Sequence, residues 1–145
     1  MAKKLSNAAT TAWVRLVRAQ QTAVGGVEEA LRRSGYPPLV WYDVLLELER
    51  SPDEGLRQRD IERHTLLRRY NVSRIVDRME ADGLVTRAPS PEDARGTLVR
   101  ITGKGRALRR RMWPIYAEAI EANFAGRYGE KELAQLAALL APAAR

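Results

Sequence analysis

Apolar residues recur along most of this chain at helical spacing, and short β-branched runs interrupt them. Trp13, Val17, Gln20, Val24, Val27 and Leu31, apolar except for Gln20, step alternately by four and three, with Leu16 beside them. That spacing predicts a long first helix with a narrow seam, the form in which helices pair with one another. Gly25-Gly26 weakens this helix without having to break it. Ser34-Gly35-Tyr36-Pro37-Pro38 ends it. Leu39 to Arg50 reads as a short helix with Trp41, Val44, Leu45 and Leu48 on one side. Beyond the turn Ser51-Pro52-Asp53-Glu54-Gly55, Leu56 and Ile61 are the apolar positions of another short helix. Val72, Ile75, Val76 and Met79 then mark the buried face of a further one. The opposite face of that helix carries Arg69, Tyr70, Asn71, Arg74 and Arg78.

After Asp82-Gly83 the helical spacing stops. Leu84-Val85-Thr86-Arg87 and Thr97-Leu98-Val99-Arg100-Ile101 are short and β-branched, and they read as strands joined by the polar loop Pro89–Gly96. Helix, turn, helix and hairpin in that order predict a winged helix-turn-helix, with the second helix as reader and the hairpin as wing. Thr102 caps the next helix, in which Leu108, Met112, Ile115, Ala119 and Ala122 again alternate by four and three. Pro114 lies inside that pattern and is expected to kink it. Gly126 to Gly129 is a break before a last helix, Glu130 to Leu140, whose Leu133, Leu136, Ala137, Leu139 and Leu140 make a wide apolar stripe. Such a stripe needs a partner, most simply a second copy of the chain. The fold class expected is therefore mainly α with a small β-hairpin wing. Residues 36–101 would form the DNA-binding lobe, and residues 1–35 with 102–145 a helical dimerisation lobe.

Composition narrows the chemistry. The 145 residues suit one domain, or two small lobes sharing a core. There is no cysteine and one histidine, His64. Disulfides, thiolate metal sites, a cysteine nucleophile and multi-histidine metal sites are thereby excluded, so no metal or cofactor is expected. Apolar runs are too short for a membrane span, and arginines interrupt the only segment placed to be a signal core, which points to the cytoplasm. Nucleophile-elbow and phosphate-loop motifs are missing, so no enzyme is expected.

Cations outnumber acids by 25 to 18, for a net charge of +7, and all but four of the 25 are arginine. Arginine offers a planar fork to phosphates and guanine edges. The alternative to a sequence-reading protein is a basic winged-helix module that binds RNA or a protein partner without reading sequence.

The stretch Leu56–Gly105 resembles the MarR family of bacterial winged-helix transcription regulators. The resemblance rests on Val72-Ser73-Arg74-Ile75-Val76-Asp77-Arg78-Met79-Glu80-Ala81-Asp82-Gly83-Leu84-Val85. It continues through Arg87-Ala88-Pro89-Ser90-Pro91-Glu92-Asp93-Ala94-Arg95 and Val99-Arg100-Ile101-Thr102-Gly103-Lys104-Gly105. It implies a homodimer whose terminal helices interlock. Each winged module would read half of an inverted repeat in double-stranded DNA, usually as a repressor released by a small aromatic or anionic effector. Two positions depart from the family. Leu66 stands where the turn usually has glycine, and Arg68 where serine or threonine often caps the reading helix.

The candidate DNA contacts are Arg68, Arg69, Tyr70, Asn71 and Arg74 on the reading helix and Arg95 in the wing. Arginine can fork guanine, asparagine can fork adenine, and tyrosine or arginine can hold phosphates. Arg95, the only cation in its loop, suits a narrow minor groove, and Asp93 would orient it by a charge-assisted bond. Trp13, Trp41, Tyr42 and Trp113 are candidates for an aromatic effector pocket, against a plainer role in core and dimer packing.

Overall fold

In the computed structural model, residues 3–51, 55–65, 71–90 and 96–144 are described. The first helix, α1 (Asn7–Arg33), begins where the Ser6 side chain accepts a hydrogen bond from the Ala9 amide. It ends at Gly35, whose φ of +78° is open to glycine without strain. Only its C-terminal part enters the core, through Val27 and Leu31.

The next helix, α2 (Leu39–Arg50), is the central post of the fold, burying Leu39, Val40, Tyr42, Val44, Leu45 and Leu48. Pro37 and Pro38 offer no amide hydrogens, and the first free one, at Leu39, donates to the Glu28 carboxylate at 2.6 Å. A carboxylate at a helix N-terminus also complements the helix dipole. This bond ties α1 to the start of α2.

A three-residue strand, β1 (Gly55–Arg57), leads into α3 (Gln58–His64), and α4 (Val72–Ala81) follows. The hairpin strands are β2 (Val85–Pro89) and β3 (Thr97–Ile101), and the antiparallel sheet has the order β1-β3-β2. Leu56 pairs with Val99, and Val85 with Ile101. Leu56 thus belongs to a strand and not to the helix expected from its sequence. Its neighbours bond to the open edge of β3, a partner more than forty residues along the chain.

The long helix α5 (Gly103–Asn123) starts at Thr102, whose side chain accepts from the Gly105 amide at 3.1 Å and donates to the Gly83 carbonyl at 2.7 Å. Gly105 is needed there, because a Cβ would lie 2.3 Å from the Leu84 carbonyl oxygen. The helix runs without interruption through Pro114, which leaves the Arg110 carbonyl without its usual amide donor. Leu108, Met112 and Ala119 face the core. A 3-10 turn (Ala125–Arg127) precedes α6 (Glu130–Leu140), which buries none of its residues within the single chain. A second 3-10 turn, Ala141–Ala143, follows. Among the described residues, no helix is long and apolar enough to cross a membrane.

Candidate nucleic-acid interface

The helix α4 presents three stripes, each set by the 100° advance per residue. Val72, Ile75, Val76 and Met79 form the buried stripe. Ser73, Asp77 and Glu80 form a second one on the flank toward β2. Asn71, Arg74 and Arg78 form the third, exposed to solvent. Among the described residues neither Arg74 nor Arg78 forms an ion pair, so both guanidinium groups are open to an anionic partner.

Both ends of α4 are fixed. At its start the Asn71 side chain accepts from the Arg74 amide at 3.3 Å, which makes Asn71 the N-cap. At its end the Leu84 amide donates to the Met79 carbonyl and the Gly83 amide to the Glu80 carbonyl, with Gly83 at φ +77°. That is the left-handed glycine stop common at helix C-termini. The Lys104 ammonium adds a 2.6 Å bond to the Asp82 carbonyl, so α5 clamps the last turn of α4.

Between the ends, Arg87 on β2 reaches across to α3 and α4. One of its terminal nitrogens donates to Asp77 at 2.5 Å and to Glu80 at 3.4 Å. The other donates to the Gln58 side chain at 3.3 Å and the Ser73 carbonyl at 3.5 Å. Sequence reasoning placed Arg87 in a strand and gave it no role. Its partners lie seven to 29 residues away along the chain, so local spacing offers no signal beyond the shared face of Asp77 and Glu80. At the base of the wing, the Ser90 amide donates to the Gly96 carbonyl, and Arg57 donates to the Ser90 hydroxyl at 3.4 Å. Of the expected DNA contacts, Asn71 and Arg74 are described. Arg68, Arg69, Tyr70 and Arg95, together with Asp93 and the departing positions Leu66 and Arg68, lie outside the described residues.

The four candidate effector-pocket residues are not all brought together within the chain. Tyr42 and Trp113 stack at 6.1 Å, and both pack edge-on against Tyr116, at 5.0 and 5.7 Å. Tyr116 was missed in the sequence, although it lies three residues after Trp113 and so on the same helix face. Burial pushes the Tyr116 hydroxyl up to about 12, with the nearby Asp43 charge and Tyr42 adding to it. Arg109, ion-paired with Glu49, lies over the Tyr42 ring with 6.0 Å to its centroid. Burial works against its charge, but bonds with Glu49 and Tyr42 outweigh that and raise its pKa further.

Trp41 lines a different hollow of about 430 Å³ with Tyr36, Leu84, Lys104, Leu108 and Arg111. Trp13 is 64% exposed on α1, fourteen residues and so ~21 Å before the point where that helix enters the core. His64 is exposed at the end of α3. Among the described residues, no cluster of three or more acidic or histidine side chains is placed to hold a metal.

Two short helices, α3 and α4, followed by a hairpin within a three-stranded antiparallel sheet define a winged-helix protein. Residues 34–96 match the model of the MarR family. A 67-residue stretch is 42% identical to the HTH-type transcriptional repressor IacR of Pseudomonas putida, covering 46% of this chain and 40% of that repressor. The fold is similar to that of Sco3205, a MarR family transcriptional regulator from Streptomyces coelicolor solved in complex with DNA. The TM-score is 0.87 at 24% identity, over 99% of this chain and 90% of that one. It is also similar to the transcriptional repressor CouR bound to a 23-mer DNA duplex, with TM-score 0.79 and 27% identity over the whole of both chains. Over residues 34–96 the chain therefore carries a winged-helix module similar to that of the MarR family, and it spans less than half the length of the curated repressor it matches.

Proposed function

We propose that the chain is a dimeric transcription regulator of the cytoplasm that reads an inverted repeat in double-stranded DNA and acts as a repressor. The observation that carries this reading is the exposed Asn71–Arg74–Arg78 stripe of α4. It is held at both ends and turned away from the core in a protein of net charge +7. A helix of this shape fits the major groove, and two copies related by a two-fold axis would place their readers ~34 Å apart, one helical turn of DNA.

Arg68, Arg69, Tyr70 and the wing pair Asp93 and Arg95 belong to the same proposed contact set. The helical lobe of residues 1–35 and 102–145 would supply the dimer contacts. Release by a small aromatic or anionic effector is part of the reading. The hollow that gathers Tyr36, Trp41, Lys104 and Arg111 has rings and cations suited to such a molecule. Trp13, Tyr42 and Trp113 then serve packing, within the chain or across the dimer.

Selecting bound duplexes from a random pool tests the reading. An inverted repeat with half-sites about one helical turn apart is expected. Recovery of unrelated duplexes, all bound equally well, would overturn it.

A further inference from the structure

We propose that Arg87 is the positioning residue of the reading helix, a guanidinium bolt that fixes the rotation of α4 and makes no contact with DNA itself. The proposal rests on the DNA-binding reading above and adds to it a division of labour among the arginines.

The geometry is specific to one flank of α4. Ser73, Asp77 and Glu80 lie within about 60° of one another around the helix, roughly 110–120° from the centre of the buried stripe and a similar angle from Arg74 and Arg78. Arg87 grips this flank at three points spread over two turns: the Ser73 carbonyl, Asp77 and Glu80. Its bond to Gln58 anchors the same guanidinium to α3, the first helix of the motif. Packing of Val72, Ile75, Val76 and Met79 holds α4 against the core, but apolar contacts are non-directional and resist rotation weakly. A turn of ~10° about the axis carries a group ~6 Å out through ~1 Å. That is enough to spoil a bidentate bond to a base edge. A planar fork held by fixed acceptors is suited to prevent it.

Charge separates this role from a phosphate contact. Two carboxylates face the one guanidinium, so the cluster carries a net negative charge and does not attract DNA. The Arg87 side chain is 22% exposed, while Asp77 is 61% exposed. A phosphate approaching Arg87 therefore meets a carboxylate on the way.

The test uses the full chain with Arg87→Lys, Arg87→Gln and Asp77→Asn. Affinity is measured for the selected operator and for a scrambled duplex across a salt series. Both Arg87 variants are expected to lose at least tenfold in preference for the operator. Binding to the scrambled duplex should stay within about twofold and the salt slope should not change. Asp77→Asn should also lose preference, although it removes a negative charge near DNA.

A phosphate contact would behave otherwise. Arg87→Lys would bind nearly normally, Arg87→Gln would weaken both duplexes alike with the slope lower by about one, and Asp77→Asn would gain affinity. Any of these results overturns the proposal. Amide hydrogen exchange of the free protein separates failure of the bolt from failure of the DNA reading. In Arg87→Gln the amides of Ile75 to Met79 should exchange at least tenfold faster while those of α2 are unchanged. Unchanged exchange in α4 overturns the bolt whether or not an operator exists.

Discussion

Asn71 is one side chain with two claims on it. Its side-chain oxygen already accepts from the Arg74 amide, which caps the helix, yet its type also suits an adenine edge. Substitution separates the two. Asn71→Ala should lose about 1 kcal/mol of stability, measured by urea unfolding, because the cap is gone. Asn71→Asp keeps an acceptor for that amide and should stay within about 0.5 kcal/mol of the parent in stability, while binding DNA more weakly through repulsion of phosphates. Arg74 has no such structural duty. Arg74→Ala should leave stability unchanged and cost about 1–3 kcal/mol of binding per half-site, with relaxed preference at one operator position if it touches a base.

Tyr116 carries the pH prediction at this scale. Its folded pKa, about 12, lies above the ordinary 10.0 because the buried phenol resists ionisation. The stability it contributes is intact below pH 10 and is lost as pH rises through 12. The fall in unfolding midpoint between pH 10 and 12 should therefore be smaller in Tyr116→Phe than in the parent. Equal falls would show that the phenol is not held neutral by the fold.

At the scale of elements, long periodic segments were legible and short recruited ones were not. The bounds of α2 and α6, and of β3, fall where the apolar spacing put them. Leu56 was misread because a three-residue strand has no period to read, and only the edge of β3 makes it a strand. The reading helix was legible through Val72, Ile75, Val76 and Met79, but the side chain that braces it was not, since Arg87 finds its acceptors by the folding of the hairpin. The aromatic candidates divide between two places for a similar reason. Trp41 and Tyr42 are adjacent in sequence and therefore point to different sides of α2, so Tyr42 joins Trp113 while Trp41 lines the hollow beside Lys104.

Two glycines test how closely the elements meet. At Gly105 a Cβ would strike the Leu84 backbone oxygen at 2.3 Å and Ile101 at 2.9 Å. Backbone cannot swing aside, so Gly105→Ala should destabilise by about 1–3 kcal/mol and pull α5 off the end of α4. At Gly26 the obstacle is the Asn123 side chain, which can rotate away at the loss of its 2.8 Å bond to the Ala119 carbonyl. Gly26→Ala also gains roughly 0.5–1 kcal/mol of helix propensity, so it should be near neutral. Urea midpoints of the two variants, compared side by side, check both expectations.

At the scale of the molecule, the single chain leaves much of its apolar surface uncovered. Trp13 and Leu16 on α1 and Leu139 on α6 are 64%, 42% and 78% exposed, and Leu5 before α1 is 64% exposed. Large apolar side chains left exposed in this number point to an interface. The seam of α1 predicts that use, because among the described residues none of its first two-thirds is buried while Val27 and Leu31 are. Two copies meeting through α1 and α6 would cover both surfaces by one two-fold operation, and the same axis would set the spacing of the two α4 helices. Removing residues 130–145 should therefore act on association first. The truncated chain should sediment as a monomer at concentrations where the full chain is dimeric, and its unfolding midpoint should lose the dependence on protein concentration expected of a dimer. Its α4 and wing remain intact, so it should still bind a single half-site weakly, with the gain from two linked readers lost. A truncated chain that stays dimeric, or a full chain that sediments as a monomer at micromolar concentration, would place the interface elsewhere.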